Sequence, residues 1–370
     1  NMIYSCMDVS NDNSLISEVV ELRNKLSNSN APVELKESTM RSVSRLERIA
    51  KWGNYSSEFE SVDKYVDWVT RIPWGVLSKD NLDITNAREI MDSTHFGMDM
   101  VKEMILDYLA AMQLKGMMKG SGVIATKTES PTLLFLGLQG IGKTSIAQSI
   151  AKAMGRKFAR ISLGAVGDVR TLRGIPRHEM DSEPGQIVKA LARTGTMNPV
   201  ILIDEIEKSS QNVGIHNDIM AALLEILDPE QNSSFVDHYI DHPIDLSNVF
   251  FICTANNLGG LSAALLDRLE VIRFTSYSDQ DKEVIAKSYI LPKVFANMGI
   301  SSDQIQISQE VWPMLIRPVG FDAGIRQLER NISTLARSAA REIISGKPIP
   351  IIVTPENLKH YVLPDQGPLS

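Results

Sequence analysis

Gly137-Leu138-Gln139-Gly140-Ile141-Gly142-Lys143-Thr144, followed by Ser145, fits the G-x-x-x-x-G-K-[ST] pattern of a phosphate-binding loop. Gly137, Gly140 and Gly142 permit backbone conformations that a β-carbon forbids. The loop then turns its N–H groups inward as an anion cradle, at the positive end of the helix that follows. On that chemistry Lys143 reaches the β- and γ-phosphates of a nucleoside triphosphate, and the Thr144 hydroxyl ligates Mg²⁺. The flanks agree. Residues 131–136 are a short apolar run suited to a strand, and residues 145–154 carry helical spacing. A chance match in a glycine-containing turn would not need either flank.

Val200-Ile-Leu-Ile-Asp204-Glu205 supplies the second half of such a site. Its continuous apolar run predicts a strand covered on both faces. Asp204 and Glu205 then emerge at the strand's C-terminal end, where ligands bind in open α/β sheets. Asp204 is the expected Mg²⁺ ligand, and Glu205 the expected general base that polarises the attacking water. A bare Asp-Glu after a strand is ordinary surface chemistry; the loop upstream changes its meaning. Together the two stretches imply ATP or ADP and Mg²⁺ as cofactors and triphosphate hydrolysis as the reaction class.

The 370 residues allow two or three domains, and 43% hydrophobic with 22% charged residues is ordinary for a globular protein. A net charge of −7 does not suggest a general nucleic-acid role. Lys157, Arg160, Arg170 and Arg173 form a local basic stretch, read as a solvated face or channel lining before a DNA site. Cys6 and Cys253 suggest neither a disulfide framework nor zinc, and a reducing compartment fits. No apolar stretch approaches the roughly 18 residues of a membrane span, and no signal peptide is visible. The start at Asn1 suggests a fragment or a tag remnant.

Apolar stripes at helical spacing (Leu15, Ile16, Val19, Leu22, Leu26; Met40, Val43, Leu46, Ala50; Phe59, Val62, Val66, Val69) predict helices over much of 12–115, with Ser57 and Glu60 as a capping box. Residues 116–130 read as a linker. Strands are expected at 132–136, 158–163, 199–203, 248–254 and 270–274, with helices alternating between them, so the sheet should be parallel. From about 278 the chain reads as helical again, with a helix starting at Thr354-Pro355-Glu356. The expected division is a helical segment 1–118, an α/β nucleotide-binding part 119–276 and a helical lid 277–370.

A lid after such a sheet suggests an oligomeric ATPase, which needs a γ-phosphate sensor and arginines that neutralise transition-state charge. Asn256, after the fourth strand, is placed to orient the lytic water. Arg268 is a candidate to act on a neighbouring copy's ATP. Arg326, opening a lid helix, is a candidate for the γ-phosphate of its own copy. Each taken alone is an ordinary surface residue; their order carries the assignment.

At these residues the chain resembles the ATPase part of the ATP-dependent protease Lon. The resemblance covers nearly the whole sequence. It rests on Ile226-Leu-Asp-Pro-Glu-Gln-Asn-Ser-Ser-Phe235 with Asp237-His-Tyr-Ile240, on 156–164, Thr254-Ala-Asn-Asn257 and Leu291-Pro-Lys293, and upstream on Asp67-Trp68, Ile72-Pro-Trp-Gly75 and Asn81-Leu-Asp83. It implies an AAA+ fold, an α/β P-loop domain with a parallel sheet flanked by helices between a helical N-terminal segment and a helical lid. It also implies a homohexameric ring that unfolds and threads protein substrates, in a bacterial cytoplasm or a mitochondrial or peroxisomal matrix. His95-Phe96-Gly97 resembles the family's His-Tyr-Gly near the adenine, and Tyr277 matches a second adenine-side position. By position Lys143, Thr144, Asp204, Glu205 and Asn256 match the family's ATPase residues, Arg268 its trans arginine finger and Arg326 its second sensor.

Three departures shape the expectations. The family's Ser–Lys peptidase domain would follow the lid, so cleavage is not expected of this chain by itself. Glu179 and Met180 stand where the family's first pore loop has an aromatic–aliphatic pair, which would weaken or alter grip on substrate. Leu138-Gln139 replaces the usual Pro-Pro, at positions whose side chains the phosphates do not need. A remodelling ATPase with no peptidase, and a nucleotide-gated scaffold, are the competing readings. His238 and His242 with Asp237, Asp241 and Asp245 are set aside as a metal cluster, because Pro243 argues against one helix face.

Overall fold

The computed structural model describes residues 5–50, 57–119, 131–165, 168–208, 213–317 and 324–362. Three helices come first: α1 (Ser5–Asn28), α2 (Val33–Ala50) and α3 (Ser57–Arg71). Their stripes meet where the spacing predicts, burying Val19, Leu22 and Leu26 of α1, Val43 and Leu46 of α2, and Val66 and Val69 of α3. The Ser57 cap, Cys6 and residues 120–130 of the expected linker lie outside the described side chains. Residues 116–119 belong to a helix, not a linker. They end α5 (Asp99–Lys119), which follows α4 (Ile84–Asp92), and Met-Met-Lys there are good helix formers.

The remaining strands are β1 (Leu133–Leu136), β2 (Phe158–Ser162), β3 (Val200–Asp204), β4 (Phe235–Val236), β5 (Pro243–Ile244), β6 (Phe250–Ala255), β7 (Glu270–Arg273), β8 (Ile305–Ile307) and β9 (Ile351–Val353). Among them run α6 (Lys143–Ala153), α7 (Arg170–Arg173), α8 (Gln186–Thr194), α9 (Val213–Leu227) and α10 (Ala263–Leu266). The lid adds α11 (Asp279–Ile285), α12 (Leu291–Met298), α13 (Trp312–Ile316), α14 (Arg326–Ile344) and α15 (Leu358–Tyr361). Five strands form one sheet in the order β2–β3–β6–β1–β7, every pair parallel, and they are the five that the apolar runs predict.

Strand parity divides the core. Leu133 and Phe135 of β1, Leu202 of β3 and Ile252 of β6 face Ile146 and Ile150 of α6 together with Ile105 and Leu109 of α5. Leu134, Leu136, Ile203 and Cys253 face Ile187 and Leu191 of α8, Leu223 and Ile226 of α9, and are continuous with the core of α1–α3. A strand buried on both faces has no polar alternation, which is why these runs read as uninterrupted apolar residues. Each such side chain contributes roughly 1.5–3 kcal/mol by leaving water. The core crosses residue 118: α4 and α5 cover the sheet, while α1–α3 pack from its other side.

The lid has its own core around Trp312, Leu328, Ile332 and Leu335. It differs from the sequence reading in two places. β8 and β9 form a short parallel ladder within the otherwise helical segment. The last helix starts at Leu358 after a turn, because Asn357 Oδ1 accepts the Thr354 N–H at 2.8 Å and folds 354–357 back on itself. Trp74 and Trp312 are buried.

Candidate functional site

The sheet order leaves β1 between β6 and β7, and the loop after β1 meets the C-terminal ends of β3 and β6. Gly140 (φ 81°) and Gly142 (φ 95°) take the left-handed conformations expected of them. Gly137 is needed for a different reason: a Cβ there would lie 2.4 Å from Ile141 Cδ1 and 2.9 Å from the Phe274 carbonyl oxygen. Gly142 is the N-cap of α6 and offers no side chain, so the first helical N–H groups are open to an anion.

Lys143 is buried and donates to the carbonyls of Gly137 and of Leu138 (3.1 Å) and to Asn256 Oδ1 (3.1 Å). Burial pushes its ammonium below the usual lysine range, and the nearby Glu207, Asp204 and Glu205 carboxylates oppose that shift.

Asp204, at the end of β3, is also buried, with both oxygens engaged. Thr254 Oγ1 donates to one and receives the Glu205 N–H at 3.0 Å; Arg160 donates to the other through Nε, at 2.9 Å, and Nη2. Glu205 is only partly buried and has a φ of 58°, strained for a residue with a side chain. Its Oε1 accepts Lys208 Nζ at 2.8 Å and Gln139 Nε2 at 3.5 Å. Gln139, expected to be neutral to the chemistry, therefore faces the expected base.

A cavity of about 340 Å³ joins these groups. It is lined by Gln139, Gly140, Ile141, Gly142, Lys143, Thr144 and Ser145, by Asp204, Glu205 and Asn256, and by Arg326 of the lid. The lid docks through its backbone: Ile325 N–H donates to the Gly140 carbonyl at 3.0 Å, just ahead of Arg326. Gly137 and Leu138 line an adjoining cleft with Asn256. Phe96, Gly97 and Tyr277 line a second cavity of about 390 Å³ alongside, and Tyr277 Oη donates to the Ile141 carbonyl at 3.0 Å. His95 Nε2 is 2.9 Å from Ser145 Oγ. Burial, aided by Lys102, holds the His95 imidazole near a pKa of about 4, so it is neutral at pH 7.

Arg268 stays apart from these groups. It precedes β7, at the opposite end of the strands, half exposed and 3.6 Å from Asp228. Three residues at the site carry no role in the sequence reading. In the sequence Arg160 reads only as part of a basic stretch, Thr254 only as part of Thr254-Ala-Asn-Asn257, and Glu207 only as an acidic residue near Asp204-Glu205. The one available signal was a charge on β2 in step with Ser162, which pairs with Asp204.

A loop at 174–185 stands away from the cavity. Its neck is tied by Asp237, fully buried, whose carboxylate accepts the N–H groups of Gly185 (2.7 Å), Tyr239 (2.9 Å) and Ile240 (3.1 Å). Its far end exposes Met180 at 93%, while Glu179 is turned aside to Arg170 at 2.8 Å.

Comparison with known proteins agrees with this geometry. Residues 133–277 match the family model described as ATPase family associated with various cellular activities (AAA), and 296–351 match the Lon protease AAA+ ATPase lid domain. The chain belongs to the Lon-type AAA+ ATPases. It is 42% identical over 349 residues to Lon protease 2 of Thermus thermophilus, covering 94% of this chain and 43% of that protein. Identity is 41% over 346 residues with the Lon protease of Heliobacterium modesticaldum (94% and 41%), and 41% over 319 residues with the mitochondrial Lon protease homolog of Homo sapiens (85% and 32%). This Lon-type module thus spans about two fifths of the length of its bacterial relatives. Nucleotide binding follows from the AAA domain. Among the described residues no helix is long and apolar enough to cross a membrane.

Proposed function

We propose that the module hydrolyses Mg·ATP at a site shared between copies of a homohexamer, and uses the cycle to pull unfolded protein segments through the ring toward a peptidase elsewhere in the whole protein. The observation that carries this reading is the meeting of Lys143, Asp204, Glu205, Asn256 and the lid's Arg326 around one cavity. Lys143 leaves its loop carbonyls for the β- and γ-phosphates. Phe96, Gly97 and Tyr277 hold the adenine side, with His95 steadying Ser145. Glu205 takes the proton of the attacking water, Asn256 orients that water, and Arg326 binds the γ-phosphate from the lid. Arg268, outside its own cavity, serves the neighbouring copy's site.

Thr144 and Asp204 offer the hard oxygen donors that suit Mg²⁺. Bound there, the ion would neutralise charge on the transferring phosphate. Arg160 would then give up its hold on Asp204. The Met180 end of loop 174–185 is the surface offered to substrate, with Glu179 neutralised by Arg170. The units of this cycle are 1–118, 119–276 and 277–370, the first joined to the second through shared cores, and its setting is a bacterial cytoplasm or a mitochondrial or peroxisomal matrix.

The test is Glu205→Gln. Steady-state turnover of Mg·ATP should fall by roughly 10²–10⁴-fold, with ADP and ATP affinities retained in a binding titration. Normal turnover in that variant removes Glu205 from the role of base. Failure of the unsubstituted chain to bind ATP at all removes the function.

A further inference from the structure

Asn256 is held by chemistry that admits one orientation. Its Nδ2 donates to Glu207 Oε1 at 2.7 Å, and its Oδ1 accepts from Lys143 Nζ at 3.1 Å. An ammonium only donates and a carboxylate only accepts, so the amide cannot be turned over without placing donor against donor and acceptor against acceptor. The same Glu207 oxygen accepts the Asn256 backbone N–H at 3.0 Å, which fixes the carboxylate to the end of β6. The other oxygen, Oε2, is buried without a hydrogen-bond partner. A carboxylate placed this way costs stability. Packing does not explain it, since an apolar side chain would fill the same space without the orphaned oxygen.

We propose that Glu207 is a positioning residue that fixes the polarity of Asn256, so that the amide presents its oxygen, and not its N–H₂, to the γ-phosphate end of the cavity. This rests on the reading that Asn256 faces ATP. An oxygen there accepts a hydrogen from the lytic water or from Lys143, and makes no bond to a phosphate oxygen. Asn256 therefore acts on the water, and Glu207 prevents the amide from turning to grip the triphosphate.

The test compares Glu207→Ala, Glu207→Gln, Asn256→Ala and the double variant Glu207→Ala/Asn256→Ala in the full 370-residue chain. The readouts are ATPγS and ADP dissociation constants together with kcat. In Glu207→Ala the freed amide turns and donates to a phosphate oxygen, so the preference for ATPγS over ADP rises by about fivefold to tenfold. Where turnover is measured, kcat falls by roughly 10-fold to 100-fold with KM unchanged or lower. Glu207→Gln keeps an accepting oxygen toward Asn256 and behaves as the unsubstituted chain. The double variant loses the gain in ATPγS preference and is no slower than Asn256→Ala. An unchanged ATPγS/ADP ratio in Glu207→Ala overturns the proposal, and so does a Glu207→Gln variant that matches Glu207→Ala, because charge and not polarity would then matter. An unsubstituted chain that binds neither nucleotide would defeat the functional reading instead, a separate and visible result.

Discussion

Gly324→Ala perturbs the site from the lid without touching any side chain proposed to contact nucleotide. A Cβ on residue 324 would lie 2.8 Å from the Gln139 carbonyl oxygen, 2.8 Å from Gly140 C and 2.9 Å from Gly140 Cα. All three are phosphate-loop backbone and cannot swing aside as a side chain would. Ordinary carbon contacts are about 3.5–4.0 Å, so the segment leading into α14 must retreat by roughly 0.6–1 Å. That retreat stretches the 3.0 Å bond from Ile325 N–H to the Gly140 carbonyl and carries Arg326 with it. The packing cost is roughly 1–3 kcal/mol. A misplacement near 1 Å at a reacting group costs about 10²-fold in rate. We expect kcat for Mg·ATP to fall by about that factor. ADP affinity, which does not need Arg326, should change little in calorimetric titration. The lid core around Trp312 and Leu335 is untouched, so its unfolding should stay cooperative and shift only by the few degrees that this packing cost corresponds to. A Gly324→Ala variant with parental kcat would refute the reasoning, because it would show that lid contact does not set the position of Arg326.

Arg268→Ala should lower kcat by about 10³-fold or more with nucleotide affinity retained. Mixing it with Glu205→Gln should restore part of the turnover, since the second variant lends its Arg268 to the first; a mixture as inactive as its components would argue against action in trans. Asp237→Asn tests the neck of loop 174–185 through pH. Burial raises the Asp237 carboxyl to about 6, against which its three N–H donors pull. The native state therefore holds a proton that the unfolded chain has already lost, and stability contributed by this group falls as pH rises from about 4 to about 6. Asparagine has no such titration. The stability lost on Asp237→Asn in denaturant melts should be larger at pH 4 than at pH 7 by up to ~3 kcal/mol; an equal loss at both pH values would mean that burial does not raise the Asp237 carboxyl above its unfolded value.

What the sequence made legible was local. The phosphate loop, the strand ending in Asp204-Glu205 and the two-sided apolar runs each signal themselves within a few residues, so the sheet and most of the cavity lining were readable. The lid arginine was readable too, because Arg326 begins its helix. What was hidden depends on register between strands that are distant in sequence. Arg160 meets Asp204 only because β2 lies beside β3 with Ser162 opposite Asp204. Glu207 meets Asn256 only because β6 lies on the other side of β3. The lid's backbone bond to Gly140 leaves no side-chain trace at all. The packing of α4 and α5 onto the sheet was hidden for a related reason: an apolar stripe says that a helix is covered, not by what.

The two adjacent carboxylates sit in different surroundings at one strand end, which suits the two roles proposed for them. Asp204 lies within β3, buried, with one oxygen fixed by Thr254 and the other by Arg160, so it is a rigid donor for whatever replaces the guanidinium. Glu205 is one residue further, and the φ of 58° throws its side chain off the strand line into the partly open part of the cavity. There its partners are an exposed lysine and a glutamine at the limit of hydrogen-bond distance. On the proposed roles Glu205 changes partners with every proton it takes, whereas Asp204 makes one exchange, Arg160 for the ion, and keeps its bond from Thr254. The strain at Glu205 is held by the Thr254 hydroxyl, which receives the Glu205 N–H and donates to Asp204 at the same time. One hydroxyl thus joins the Asp204 carboxylate to the Glu205 backbone. Removing it would loosen both, which no substitution at either carboxylate alone would do.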